Sequence, residues 1–160
     1  MNQFKQLVPL LLVSIFLLLG CAKSQLRYAK VMEGTWNIAE ETIILINPDG
    51  KTELVSQATD VGTLLLEEPI LGDGIFLDYT IVLNNNPYTW VKLPFKTDDE
   101  RKRVFFYNFY CGDVFNCDMS ATIEVDKKDE QMWSFFRQDT ATSGSGTAHR
   151  KTTWTLRRVE

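Results

Sequence analysis

His149 is the single histidine of the chain, and it follows Ser143 and Ser145 closely in the sequence. A serine activated by a histidine is the pattern of a nucleophilic hydrolase, but that chemistry needs a rigidly placed base and a group that orients it. We expect residues 139–149, which contain Thr-Ser-Gly-Ser-Gly, to form a flexible loop that supplies neither. The sequence therefore indicates no catalytic residue, and we predict that the protein is not an enzyme.

Acidic side chains occur in two clusters, at residues 98–100 and 126–130, and both clusters lie in predicted turns beside Lys or Arg. Binding of a hard cation such as Ca²⁺ requires about six to eight oxygen ligands in a defined loop, a pattern that neither cluster shows. The single histidine and few cysteines also fall short of a zinc ligand set. We therefore expect solvated turn charges, with no metal and no cofactor.

Two cysteines, Cys111 and Cys117, lie close together in the segment Cys-Gly-Asp-Val-Phe-Asn-Cys. In an oxidising compartment such a pair is expected to form a disulfide, which at this loop length would stabilise the fold by about 2–3 kcal/mol. Free thiols and a shared metal are the alternatives. The choice depends on whether the chain is exported, which the N-terminus addresses.

The N-terminus has the features of an export signal. Lys5 precedes an apolar run, residues 7–19, that is shorter than the roughly 20 residues needed to span a bilayer. The sequence Leu18-Leu19-Gly20-Cys21 then resembles the lipobox of bacterial lipoproteins. The resemblance implies that residues 1–20 are removed and that Cys21 carries a diacylglycerol, with a further acyl chain such as palmitate on the new N-terminus. An ordinary secretory signal or a short uncleaved anchor are the alternatives.

The residue after the cysteine bears on the destination of such a lipoprotein. Position 22 is alanine and not aspartate. By resemblance to lipoprotein sorting in two-membrane bacteria, this implies no retention at the inner membrane. We therefore expect a lipid-anchored protein of the cell envelope, at the outer membrane and facing the periplasm.

Beyond Gly34 the chain reads as short strands separated by turns. The turn signals include Asn47-Pro48-Asp49-Gly50, in which proline presets φ and glycine accepts a positive φ. Alternation is clear at residues 75–83 and 119–125. The predicted strands cover residues 35–46, 51–57, 63–67, 75–83, 88–95, 103–110, 119–125, 131–138 and 151–159, with residues 111–117 as a tight loop.

These eight or nine strands are joined mainly as hairpins, and an open meander of this kind leaves two unpaired edges. Closure into an up-and-down barrel removes both edges. We therefore predict an all-β fold, an antiparallel meander closed as a barrel over residues 34–160. Residues 21–33 would form a lipid-anchored tether with a short helical turn. A barrel of eight strands is either filled by side chains or holds one small ligand.

Two motifs at the ends of this domain resemble the lipocalin-like class of bacterial lipoproteins. They are Gly34-Thr35-Trp36 at the start of the first strand and Trp154-Thr155-Leu156-Arg157-Arg158 on the last. The resemblance implies a lipocalin-like barrel in which Trp36 packs at the closed end beneath an arginine. Alternation favours Arg158 for that role, because it shares a face with Trp154, and a guanidinium over an indole is a favourable contact.

Aromatic residues are dense in the later strands, and they allow two interpretations. Either they pack the barrel solid, or they line a cavity for a small apolar ligand. For a cavity, the candidate wall residues are Tyr79, Trp90, Tyr107 and Trp133. The hollow barrel would be a carrier or sensor of a small hydrophobic ligand. The filled barrel would be a scaffold or accessory lipoprotein that contacts other envelope proteins.

Charge argues against a nucleic-acid partner. The chain has 17 Lys and Arg against 21 Asp and Glu, a formal net charge of −4 at pH 7. Removal of a signal containing Lys5 makes the mature chain more acidic still. Since no basic stripe is apparent, we expect no nucleic-acid partner. The expected partners are the membrane through the lipid, a small hydrophobic ligand and envelope proteins.

Overall fold

The computed structural model describes residues 30–68, 77–86, 89–98, 100, 102–111 and 114–159, without the side chains of 110, 111 and 114–117. The predicted signal peptide and Cys21 lie outside these residues. No helix in the described part is long and apolar enough to cross a membrane. Residues 30–32 form one helical turn, and strands make up most of the described chain beyond that turn.

Eight strands form a closed barrel in which each strand pairs antiparallel with its sequence neighbours and the first pairs with the last. The predicted all-β closed meander is therefore confirmed, with eight strands among the described residues. The strands are β1 (Gly34–Ile46), β2 (Thr52–Glu67), β3 (Leu77–Leu83), β4 (Thr89–Thr97), β5 (Arg103–Cys111), β6 (Val114–Asp126), β7 (Glu130–Thr140) and β8 (Thr147–Arg158).

The strand count falls to eight because β2 is continuous where two strands were predicted. Asp60 adopts a positive φ of 51°, and the pairing of β1 with β2 shifts register between Ile38 and Glu40. A bulge of this kind absorbs the irregular residues without ending the strand. The polar segment that separates the two apolar stretches of β2 thus stays in the ladder.

The predicted loops at residues 111–117 and 139–149 are also shorter than expected. Cys111 pairs with Val114, so β5 and β6 continue almost to their turn. Thr140 pairs with Thr147, so the β7–β8 connection is limited to residues 141–146. Strand ladders extend into both segments because each hairpin can still close through a shorter turn.

The ladders have unequal lengths, which gives the barrel two different ends. β2 pairs with β3 only from Gly62 to Glu67, and β7 pairs with β6 only from Gln131 to Phe135. Beyond these points β2, β1, β8 and β7 continue together as a four-stranded sheet. We call this part, residues 39–46, 52–60, 136–140 and 147–153, the extension, and the barrel end that carries it the open end.

At the opposite, closed end, Arg158 joins the barrel to the N-terminal helical turn. Its guanidinium carbon lies 4.3 Å from the centroid of the Trp36 ring, and the Trp36 Nε1 donates to the Met32 carbonyl at 2.9 Å. Arg158 also donates to the carbonyls of Glu33, at 2.7 Å, and Val31. These contacts cap this end of the barrel with a charged group that covers a fully buried indole.

Candidate functional site

The inner face of the barrel is filled in one half and partly accessible beside it. Cross-strand pairs place Trp36, Ile38 and Leu156 on the inner face near the closed end, where all three are fully buried. Ile43 and Thr152 lie opposite each other further along the same face and are only half-buried. The closed half is therefore filled by side chains. Part of the inner face is accessible next to it, and the inner face is buried again nearer the tip.

An aromatic cluster fills the closed half. Phe106 lies at its centre, with ring centroids 5.0 Å from Tyr79, 5.1 Å from Phe95 and 5.8 Å from Trp133. Tyr79 and Trp133 have no exposed surface. Two of the four predicted cavity-wall residues are thus packed inside the core, where they contact protein and not solvent.

The hydroxyl of Tyr79 is satisfied inside the fold. It donates to the backbone carbonyl of Tyr107 at 3.1 Å, and Tyr107 itself, a third predicted wall residue, is only half-buried. The β4–β5 ladder covers only Phe95–Thr97, which leaves this carbonyl on β5 available to the phenol. Burial, with a smaller contribution from the charge of Asp118, raises the pKa of Tyr79 far above its ordinary value.

Trp90, the fourth predicted wall residue, is the second residue of β4 and carries an unsatisfied polar group. Its ring stacks on Phe109 with centroids 4.6 Å apart and planes inclined by 10°, and only 5% of the residue is exposed. The indole Nε1 is buried and has no hydrogen-bond partner within the described chain. A buried donor without an acceptor lowers the stability of the fold by about 1–3 kcal/mol. An acceptor added at this position would restore that stability.

Phe135 and Trp154 mark the boundary between the filled half and the open end. Their rings form an edge-to-face pair with centroids 4.8 Å apart, and they are 8% and 4% exposed. The Trp154 Nε1 donates to Glu41 at 2.8 Å, and Glu41 lies directly opposite Trp154 in the β1–β8 ladder. The bulge after Ile38 places this carboxylate on the inner face.

Above this aromatic pair the inner face is charged. Arg137 and Arg150 lie directly opposite each other on β7 and β8, and Asp139 is the next inner-face residue of β7. The Nε of Arg150 lies 2.5 Å from an Asp139 carboxylate oxygen. A backbone hydrogen bond from Thr140, together with the charges of both arginines, lowers the pKa of Asp139. Asp139 thus pairs with Arg150 and lies within electrostatic range of Arg137.

The tip of the extension is held together by Asn47, a residue for which the sequence suggested only a turn. Its Oδ1 accepts from the backbone N–H of Thr142, at 2.9 Å, and of Ser143, at 3.2 Å. Its Nδ2 donates to Glu53 at 3.0 Å, and Asn47 is 3% exposed. The predicted flexible loop is therefore fixed to the β1–β2 turn. The asparagine that precedes Pro-Asp-Gly was the available signal.

The groups considered for chemistry in the sequence are separated. Ser143 contacts Asp49 through its hydroxyl, at 3.2 Å, whereas His149 is exposed on β8. Among the described residues there is no group of three or more His, Cys, Asp or Glu that could hold a metal. Cys111 pairs with Val114 and Cys117 with Phe109 along the backbone, and the side chains of both cysteines lie outside the described part. The disulfide therefore stays a prediction.

Comparison with known proteins finds similar solved structures but no matching family. No protein-family model matches it, and no curated protein matches it significantly. A solved structure of a redesigned beta barrel is similar at 18% identity and a TM-score of 0.40, covering 82% of this chain and 95% of that one. A structure of EF1p2_mFAP2b bound to DFHBI is similar at 13% identity and a TM-score of 0.38, covering 84% and 99%.

Proposed function

We propose that this protein is a lipid-anchored, lipocalin-like envelope protein that binds a small, largely apolar molecule at the open end of its barrel. The observation that carries the binding proposal is the partial exposure of two inner-face residues, Ile43 and Thr152, next to the filled half. The closed half is filled by rings such as Phe106 and Trp133, while Ile43 and Thr152 in the extension are half-buried. A concave, mostly apolar surface with few polar groups is the usual form of a small-molecule site.

Polar groups at this end suit an amphipathic ligand. The unpaired Nε1 of Trp90 lies near the start of β4 and is a buried donor that the oxygen or nitrogen of an inserted ligand would satisfy. Phe135 and Trp154 supply an aromatic floor, and Arg137 supplies a charged rim. The binding site that we propose is therefore formed by these residues, with Trp90 retained from the wall residues expected from the sequence.

Native mass spectrometry tests the binding proposal. The tested chain begins at Ala22 behind a cleavable secretion signal and contains all eight strands. It is purified gently from the natural host. We expect an added mass that is lost on denaturation. Thr152→Phe places a ring in the accessible part of the inner face and should remove this mass. Circular dichroism should show that this variant retains the fold. A bare chain mass from the native protein, at every purification stringency, contradicts ligand binding.

The lipid anchor rests on the lipobox resemblance and has its own test. Cys21→Ala should release the protein from the membrane fraction, because the acyl chains supply the stable anchoring. Substitution of Ser24 by Ala, three residues further on, is the matched control and should leave sedimentation unchanged. If the Cys21 variant still sediments with membranes and is not retained by an uncleaved signal, the anchor is not the lipid.

A second candidate function, a scaffold that contacts other envelope proteins, is favoured by the outer face of the extension. Leu54, Ile44, Lys151 and Phe136 form one cross-strand row there. Leu54 and Phe136 are 63% and 54% exposed, which is high for large apolar side chains. An exposed apolar row of this kind is typical of contact surfaces. Crosslinking in cells from position 54 would capture a partner if this function holds.

A further inference from the structure

β2 has an unpaired edge along the part of the strand that belongs to the extension. It pairs with β1 along nearly its whole length, whereas β3 pairs with it only from Gly62 to Glu67. Asn84, which follows β3, then hydrogen-bonds the carbonyls of residues 60 and 61. No described residue pairs with residues 52–59 on the side away from β1. We call residues 52–59 the free segment.

The free segment lacks the features that usually keep a strand edge from pairing, which are proline and outward charge. Its sequence is Thr-Glu-Leu-Val-Ser-Gln-Ala-Thr, and its single charged residue, Glu53, lies on the inner face opposite Leu45. Leu54 and Val55 are instead 63% and 49% exposed. One protective feature remains, a bulge at Val55, where the pairing with β1 shifts register. The edge is therefore suited to receive another strand.

A second copy of the free segment fits this edge in an antiparallel arrangement. Pairing over the full length places Thr52 opposite Thr59 of the second copy and sets a two-fold axis between Val55 and Ser56. The outer-face residues of the segment would then meet each other, because Leu54 lies opposite Gln57 of the second copy. A slip of one residue in either direction would set outer-face residues against inner-face residues. The unpaired length and the faces thus agree on one register.

The side chains of the two copies are also complementary in this register. Leu54 and Val55 of both copies would meet around the two-fold axis as one apolar cluster, which removes exposed apolar surface from water. At each end of the ladder, Lys51 would lie opposite Asp60 of the second copy. Lys51 pairs with Asp49 in its own turn, but its side chain is 73% exposed, and Asp60 is exposed as well. Opposite charges therefore face each other at both ends.

From this geometry we infer that the protein forms a two-fold symmetric dimer through the free segment. The two extensions would join as one continuous antiparallel sheet, with β7, β8, β1 and β2 contributed by each copy. Such an interface uses the same surface on both copies, as a two-fold dimer requires. The inference goes beyond the proposed function, because it depends neither on a ligand nor on the lipid.

Sedimentation velocity of the chain from Ala22, which contains all eight strands, measures self-association over a range of protein concentrations. We expect a dimer that dissociates on dilution. Val55→Lys and Val55→Glu should each weaken self-association at least about tenfold, because each places like charges beside one another at the two-fold axis. A mixture of these two variants should regain a dimer with one copy of each, since opposite charges then meet.

Val91→Lys is the matched control, because Val91 is 56% exposed on β4, which does not neighbour β2, and it should leave the dimer unchanged. A native chain that stays monomeric at about millimolar concentration contradicts the inference. A dimer that Val55→Lys leaves intact also contradicts it, as does a mixture of the two Val55 variants that stays monomeric although circular dichroism shows both folded. Crosslinking that captures only a different protein at the free segment would likewise show that the occupant is not a second copy.

Discussion

The guanidinium of Arg158 lies over the Trp36 indole with its carbon 4.3 Å from the ring centroid, while its nitrogens donate to backbone carbonyls of residues 31, 33 and 128. One side chain therefore ties the last strand to the N-terminal turn and to the β6–β7 connection. Because Lys128 and Glu33 belong to segments far apart in the sequence, this contact helps to close the end of the barrel.

Arg158→Gln should lower the free energy of unfolding by about 1–3 kcal/mol, since a shorter neutral amide cannot serve these carbonyls or cover the indole. Urea denaturation followed by tryptophan fluorescence measures the change. Arg157→Gln, next in sequence and exposed, is the control and should stay within about 0.5 kcal/mol of the native protein. Equal losses in the two variants would show that the contacts of Arg158 contribute nothing specific.

Asn47→Ala should loosen the tip of the extension. It removes the acceptor for the Thr142 and Ser143 amides and one of the donors to Glu53. We expect a loss of about 1–3 kcal/mol, because these groups are partly buried. Hydrogen exchange should quicken at residues 142–143 and remain unchanged in the closed half. Asn85→Ala, in an exposed turn, is the control, and unchanged exchange at residues 142–143 in the Asn47 variant would contradict the role of this side chain.

Gly62→Ala tests how closely β2 approaches β3. A Cβ at this position would lie 2.1 Å from the Val82 carbonyl oxygen and 2.9 Å from the Leu83 Cα. Because the obstructing atoms are backbone, the strands must separate, and we expect a loss of about 1–3 kcal/mol or more by urea denaturation. Ser56→Ala, an exposed position on the same strand, should be nearly neutral. A stable Gly62 variant would mean that the β2–β3 pairing tolerates a wider spacing.

Much of the barrel could be predicted because its signals are local. Alternation at residues 75–83 places Leu77, Tyr79 and Ile81 on one face of their strand, and all three are buried. The Asn-Pro-Asp-Gly turn ends with Gly50 at a φ of 81°, as that turn requires. Closure followed from the need to pair both edges of a meander.

The open end could not be predicted, because its inner face depends on bulges that strict alternation does not contain. Continued alternation from Trp36 and Ile38 would direct Glu40 inward. The extra residue after Ile38 instead brings Glu41 opposite Trp154. Similarly, the pairing of β5 with β6 shifts register on either side of Phe109, and Asn108, next to the predicted wall residue Tyr107, has a φ of 56°. Such shifts arise from long-range pairing and leave no periodic signal.

The buried phenol of Tyr79 should make the protein sensitive to alkali. Burial first, and the charge of Asp118 second, raise its pKa above the ordinary tyrosine value of about 10. The folded state therefore retains a proton that the unfolded chain releases near pH 10. Linkage makes the stabilisation fully present below that pH and progressively lost as the pH rises above it.

Urea denaturation between pH 8 and pH 11.5, combined with absorbance titration at 295 nm, measures this effect. One of the five tyrosines should ionise only as the protein unfolds. Tyr79→Phe should remove that late-ionising group and the part of the alkaline loss that it causes, at a cost near neutral pH of about 0.5–1.5 kcal/mol for the bond to the Tyr107 carbonyl. Tyr107→Phe keeps that carbonyl and should keep the alkaline loss. If the Tyr79 variant shows the same slope as the native protein, another group is responsible for the alkaline loss.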